Sequence, residues 1–292
     1  MQTTQSRSTL LTLTAVLILT ALSSGAKSTL WEVSSGKHTL YVQGSSHILK
    51  EGNYPLAPAI EAAYSNSTVL ILEVDMAEMT SPKTQQLILQ KAMLTQPDTL
   101  QTVIKPETYH ALRTACADAG LPITALHPFK PWFATMTLTL VKMQKLGFDQ
   151  QFGLDQYFYN KAVADGKKVI GLETIDFQIA LFDSLSKENP DDFVDRSLAD
   201  LALIHTQITE LIEAWETGDM KTLDRLMSKS FDGYPELYDQ FITDRNKAWA
   251  KQLSKMIHED DTYMVVVGAG HLPGEEGLIQ RLKAKGFTVE QL

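Results

Sequence analysis

Met264-Val265-Val266-Val267-Gly268-Ala269-Gly270-His271 is an apolar run that breaks into a glycine turn and delivers a histidine. The same order occurs near the other end of the chain, in Leu40-Tyr41-Val42-Gln43-Gly44-Ser45-Ser46-His47. Each stretch reads as a β-strand ending in Gly-x-x-His, followed by a loop, a helix and a second strand. The return strands are Val69–Leu72, closed by Glu73, and Phe287–Glu290. Two such units at opposite ends of one chain form a weak internal repeat. Their histidines can meet only if the first and last strands are neighbours in one sheet. The expected fold is therefore α/β, a small central sheet built from both chain ends with a large helical insertion, about residues 81–255, between them.

Around these units, Trp31–Val33 and Thr39–Val42 flank Ser34-Ser35-Gly36-Lys37, the pattern of a hairpin. A helix over Leu56–Tyr64 leads to Val69–Glu73, whose unbroken apolar character suits a parallel strand buried on both faces. Gln85–Leu185 reads as mostly helical, broken at Pro97, Pro106, Pro122, Pro128 and Pro131, with one strand candidate, Lys168–Leu172, after the turn Asp165-Gly166. Asp191–Trp215 is a long amphipathic helix, and Met220–Met227, Glu236–His258 and Glu275–Lys285 follow as helices.

The 292 residues carry 35 acidic against 26 basic side chains, a net charge of −9. So acidic a chain repels phosphate backbones, and no basic stripe offsets this, so nucleic acid is not an expected partner. One cysteine, Cys116, builds neither a bridge nor a Cys-rich zinc site and reads as a buried thiol. The ten methionines are scattered at helical spacing, as core filler. At the N-terminus Arg7, the apolar run Leu10–Leu22 and the small residues Ser23 to Ala26 have the layout of a secretory signal peptide over residues 1–26. The run is shorter than the ~20 residues a spanning helix needs. Residues 27–292 are expected to form a single domain, exported to the periplasm or the extracellular space, with no stable membrane span after cleavage.

Gly-x-x-His after a strand has a mechanical use. The glycine is expected to permit an unusual turn, and the imidazole then projects beyond the carboxyl end of the sheet, where open α/β proteins bind ligands. Glu73 and Glu173 follow strand candidates and would reach the same edge if those strands are parallel. Two histidines and two carboxylates in one crevice suit a divalent metal such as Zn, Mn or Co, or metal-free acid–base work. Gly-x-Ser-x-Gly, His-Glu-x-x-His, a phosphate-binding Gly-x-x-x-x-Gly-Lys and Cys-x-x-Cys do not occur, which weighs against serine hydrolase, zincin and nucleotide kinase. His38, His110, His127, His205 and His258 have no matched context and read as surface or core residues.

Leu30 to Val33, Gly44 to His47, Tyr54-Pro55-Leu56, Leu72 to Asp75, Lys130-Pro131-Trp132, Gly153-Leu154-Asp155, Gly171 to Thr174 with Gln178, Asp244-Arg245-Asn246 and Gly268 to His271 are weak strings singly. Their order and spacing together resemble the TraB/GumN family, related to the Tiki group of metal-dependent proteases. The resemblance implies that His47 and His271 are metal ligands, that Glu73 is their acidic partner, and that Arg245 belongs to the site. The family's Glu-Arg-Asn appears here with the shorter acid Asp244. The function so implied is a metal-dependent hydrolase, a peptidase, acting on a peptide or small molecule, with Glu73 and Arg245 in catalytic positions; Glu173 joins them on the ground of its place at a strand end. Two alternatives stand beside it. The distantly similar erythromycin-esterase-like hydrolases imply a metal-independent enzyme, and ChaN-like proteins imply a non-catalytic haem or iron binder. A role as an envelope-polysaccharide accessory belongs with the second of these.

Overall fold

The computed structural model describes residues 27–187 and 189–292. The expected signal peptide, residues 1–26, lies outside the described residues. Six strands, β1 (Leu30–Ser35), β2 (His38–Ser45), β3 (Val69–Leu72), β4 (Lys168–Gly171), β5 (Tyr263–Gly268) and β6 (Thr288–Gln291), form one sheet in the order β4-β3-β5-β2-β1-β6. Strands β4, β3, β5 and β2 are parallel, and β1 runs antiparallel to both β2 and β6. The sheet is thus built from both chain ends, with β2 beside β5 and β1 beside β6. The helical middle adds only the edge strand β4. Gly36, with φ 62°, closes the β1–β2 hairpin.

The helices are α1 (Pro58–Asn66), α2 (Met76–Met79), α3 (Pro82–Ala92), α4 (Leu100–Val103), α5 (Pro106–Asp118), α6 (Pro131–Lys145) and α7 (Leu154–Ala164). They continue with α8 (Ile175–Ser184), α9 (Pro190–Thr217), α10 (Met220–Ser230), α11 (Pro235–Tyr238), α12 (Asp244–Met256) and α13 (Leu278–Ala284). Pro82, Pro106 and Pro131 open their helices, where a missing N–H is harmless and the fixed φ is already helical. The helix expected over Glu236–His258 is in fact α11, a π-helical turn at Asp239–Thr243 and α12. The helix expected from Glu275 starts at Leu278, because the Glu276 carbonyl is drawn off by the Asn246 amide and the Arg281 guanidinium.

Strand alternation explains the layers. Leu70, Leu72, Met264 and Val266 face one side, against Ile60 and Tyr64 of α1, Phe158 of α7 and Trp215 of α9. Val69, Ile71, Val265 and Val267 face the other, against Trp249 and Leu253 of α12 and Leu278 and Leu282 of α13. A separate core of α4, α5, α6 and α9, including the buried Cys116, holds the helical insertion together.

The connections decide where a ligand can sit. From β2 the chain crosses over β5 through α1 to reach β3. From β5 it crosses β2 and β1 through α13 to reach β6, on the opposite face. The loops after β2 and β5 therefore part in opposite directions, and a crevice opens beyond the carboxyl ends of this neighbouring pair.

Candidate active site

His47 follows β2, Glu73 follows β3, Glu173 follows β4 and His271 follows β5, so four parallel strands deliver four of the expected residues to one edge. Pairing continues past the strands, with the Glu173 N–H donating to the Glu73 carbonyl at 2.9 Å, and this keeps the two acids side by side. Arg245 comes from the first turn of α12, just after the π-helical turn, and all five expected residues are brought together.

Gly268 is the common neighbour. A Cβ on it would stand 3.3 Å from Glu73 Oε1 and 3.6 Å from both His47 Nε2 and His271 Cδ2. The two imidazoles are therefore separated by at most twice that last distance. The expected role of the motif glycines needs correction, because neither Gly44 nor Gly268 has a positive φ. Gly44 is required by close packing, since a Cβ there would lie 2.8 Å from Leu272 Cδ1 and 3.2 Å from Ala269 Cα. Gly268 instead leaves a notch between the histidines and the acid.

Each imidazole is oriented through its second nitrogen. His47 Nδ1 lies 2.8 Å from Asp155 Oδ2, and Ser45 Oγ donates to the same carboxylate at 3.0 Å. Asp155 reaches it because the start of α7 packs on the His47 loop, where Gly153 has no room for a Cβ against the His47 carbonyl. The Asp155 carboxylate, working against burial, raises His47 to about 9. As 61% of the His47 side chain is open to water, screening reduces the size of that shift without changing its direction. His271 is buried, and its Nδ1 donates to Asn246 Oδ1 at 2.9 Å. The Asn246 amide is fixed in turn by Nδ2 donating to the carbonyls of His271 and Glu276. The lone pair of His271 is thus on Nε2. Burial, with Arg245 and His47 adding to it and Glu73 opposing, lowers this ring to about 4, so it is neutral at pH 7.

Glu73 Oε1 accepts from the Gly268 N–H at 2.8 Å, and Oε2 accepts from Arg245 Nη2 and from Gln178 Nε2. Burial pushes this carboxyl up, but His271, Arg245, His47 and the Gly268 N–H outweigh it and hold the group at about 2. The His271 part acts only below pH about 4, where that ring is cationic. Glu173 binds Arg245 through Nε and Nη2, both at 2.9 Å. Arg245 lies over the Trp249 ring, 4.7 Å from its centre. Asp244, by contrast, is exposed and pairs with Lys247.

Asp155, Asn246, Gln178 and Ser45 have no role legible in the sequence, although all four stand in or beside the family-like strings. Their work is to orient other side chains, and only contact reveals it. In kind the donors suit a metal: two imidazoles held by oxygen acceptors, and one carboxylate. In arrangement the crevice is closed, and among the described residues no three His, Cys, Asp or Glu side chains stand in metal-holding geometry. Arg245 explains this, because its guanidinium bridges Glu73 and His271.

Known proteins are similar to this chain over most of its length or over a part of it. YbaP of Escherichia coli K12 is 27% identical over 253 residues, 85% of this chain and 89% of that protein, and YbaP of Shigella flexneri aligns equally. A protein of Amphimedon queenslandica named metalloprotease TIKI homolog is 28% identical over 79 residues, 26% of this chain and 14% of that protein. No solved structure matches. Among the described residues no helix is long and apolar enough to cross a membrane. The family model TraB/PrgY/gumN matches residues 29–291, nearly all of the described chain, and the protein belongs to that family.

Proposed function

We propose that the protein is an exported, metal-dependent hydrolase, a peptidase, whose reaction takes place at the Gly268 notch. The observation that carries this reading is the convergence of His47 Nε2, the His271 ring and Glu73 Oε1 on one point beyond the sheet's switch. His47 and His271 would hold one divalent cation, Zn, Mn or Co, together with Glu73, and the cation would supply Lewis acidity toward the scissile carbonyl. Asp155 and Asn246 keep the two imidazoles turned inward. Arg245 is the group placed to meet developing negative charge, and Glu173 positions it. The name of the Amphimedon queenslandica relative, metalloprotease TIKI homolog, supports the same chemistry. Metal content of the purified protein and titration with Zn, Mn and Co test it: wild type should bind one ion, and His47→Ala and His271→Ala should not. Equal, weak binding by all three proteins removes the metal site.

One observation favours a second reading. The Ser45–Asp155–His47 chain holds an imidazole whose Nε2 faces the notch, the arrangement of a general base steadied by a carboxylate once the ring has given up the proton that Asp155 favours. Hydrolysis that survives exhaustive chelation and is lost in His47→Ala would select this metal-independent version.

A further inference from the structure

We infer that the Arg245 guanidinium is the resident cation of this crevice, and that Arg245 and a divalent metal compete for Glu73 and His271 while Glu173 retains the arginine. This rests on the metal-site reading above and adds how the site is closed and opened.

A guanidinium has five N–H groups, and here all five have acceptors. Nε donates to Glu173, Nη2 to Glu173 and Glu73, and Nη1 to His271 Nε2 at 3.0 Å and to the Phe241 carbonyl at 3.2 Å. The Nη1 contact uses the His271 lone pair, because the other ring nitrogen is committed to Asn246. The Nη2 contact uses Glu73 Oε2, and the Gly268 N–H uses Oε1. Both groups that a metal needs beside His47 are thus already serving as acceptors. Electrostatics also calls for a resident cation, since two carboxylates with side chains only 10% and 8% exposed lie beside each other.

The same saturation leaves Arg245 no N–H for a substrate. Release of Nη1 and Nη2 from His271 and Glu73 frees donors to face an oxyanion and, in the same step, frees the metal ligands. The Glu173 side chain is hydrogen-bonded to Gln178 and Arg245 and grips Arg245 through Nε as well as Nη2, so it is the residue that keeps the arginine at the site. It is a positioning residue, and the π-helical turn before α12 supplies the Phe241 carbonyl that takes part in the closed state.

The test is calorimetric titration of the full chain with Zn and Mn, for wild type, Arg245→Met, Arg245→Lys and Arg245→Met/His47→Ala. If the closed form dominates, wild type pays for opening with each ion bound, and Arg245→Met should bind at least about tenfold tighter. Arg245→Lys should fall between, because an ammonium lacks the fork that spans both acids. Methylguanidinium, as a free copy of the lost group, should raise the melting temperature of metal-free Arg245→Met and weaken its metal binding, with no effect on wild type. Binding by wild type and Arg245→Met with equal affinity, abolished by His47→Ala, would overturn the competition and leave the metal site standing. Binding by no variant would overturn both. Should Arg245→Met fail to fold, Arg245→Lys and the wild type decide alone, and equal affinities for those two refute the inference.

Discussion

The two motif glycines should respond to one methyl group in opposite ways. At Gly268 the backbone, φ −48° and ψ 132°, is accessible to any residue, and the nearest atoms to a new Cβ lie at 3.3 to 3.6 Å. Gly268→Ala should therefore change stability by no more than about 1 kcal/mol, since a small crowding term is offset by a less flexible unfolded chain. The methyl group stands, however, in the space that Glu73, His47 and His271 all face. Ligand bonds to a divalent ion are only about 2.0 to 2.2 Å, so a carbon at this point displaces whatever the three groups share. On the proposed reading, hydrolysis should fall by about a hundredfold or more, as for other misplacements at reacting atoms. At Gly44 the new Cβ would meet Leu272 Cδ1 at 2.8 Å, Thr29 Cβ at 3.1 Å and Ala269 Cα at 3.2 Å. Gly44→Ala should lose about 1 to 3 kcal/mol of stability from overpacking. Its metal affinity should stay close to that of wild type while it remains folded. Urea unfolding, metal titration and turnover on the best substrate from a peptide and ester screen measure all three quantities. A Gly268→Ala protein with wild-type metal affinity and turnover would refute the notch as the reacting space, and an undisturbed Gly44→Ala would refute the packing account.

Three further outcomes follow from the electrostatics. Asp155→Asn should bring the His47 titration, followed by NMR, down from about 9 toward 6.5. The stabilisation from a raised histidine is complete below its unfolded value and disappears as pH rises through the folded one. The stability gap between wild type and Asp155→Asn should therefore close between pH 6.5 and 9, by about 1 kcal/mol given the exposure of the ring. His271 behaves in the reverse sense. Its folded value near 4 is below the unfolded 6.5, so wild type should lose on the order of 3 kcal/mol as pH falls through that window, and His271→Gln should flatten the loss. An unchanged slope would mean that the ring is not buried neutral. Burial raises the Cys116 thiol to about 11, so Ellman's reagent should fail to label the native protein at pH 8 and label it fully once unfolded.

Much of this was legible from local pattern. The apolar run Val69–Leu72, the hairpin around Gly36 and the strand of Tyr263–Val267 each declare themselves within a few residues, because a strand buried on both faces needs continuous apolar side chains. The matched Gly-x-x-His units then forced β2 and β5 into contact, and the register, Ser45 opposite Gly268, is the outcome. What the linear order could not carry was the reason for the glycines. A space defined by Leu272 and Ala269, or by Glu73 and two rings, exists only after strands far apart in sequence are side by side. The orienting residues belong to the same class: Asp155 serves His47 from 108 positions away, and Asn246 serves His271 from 25. Family resemblance marks Arg245, but its bridging of Glu73, Glu173 and His271 is decided by tertiary structure alone. Two buried carboxylates from neighbouring strands demand a cation, and the π-helical turn before α12 puts the guanidinium within reach of both.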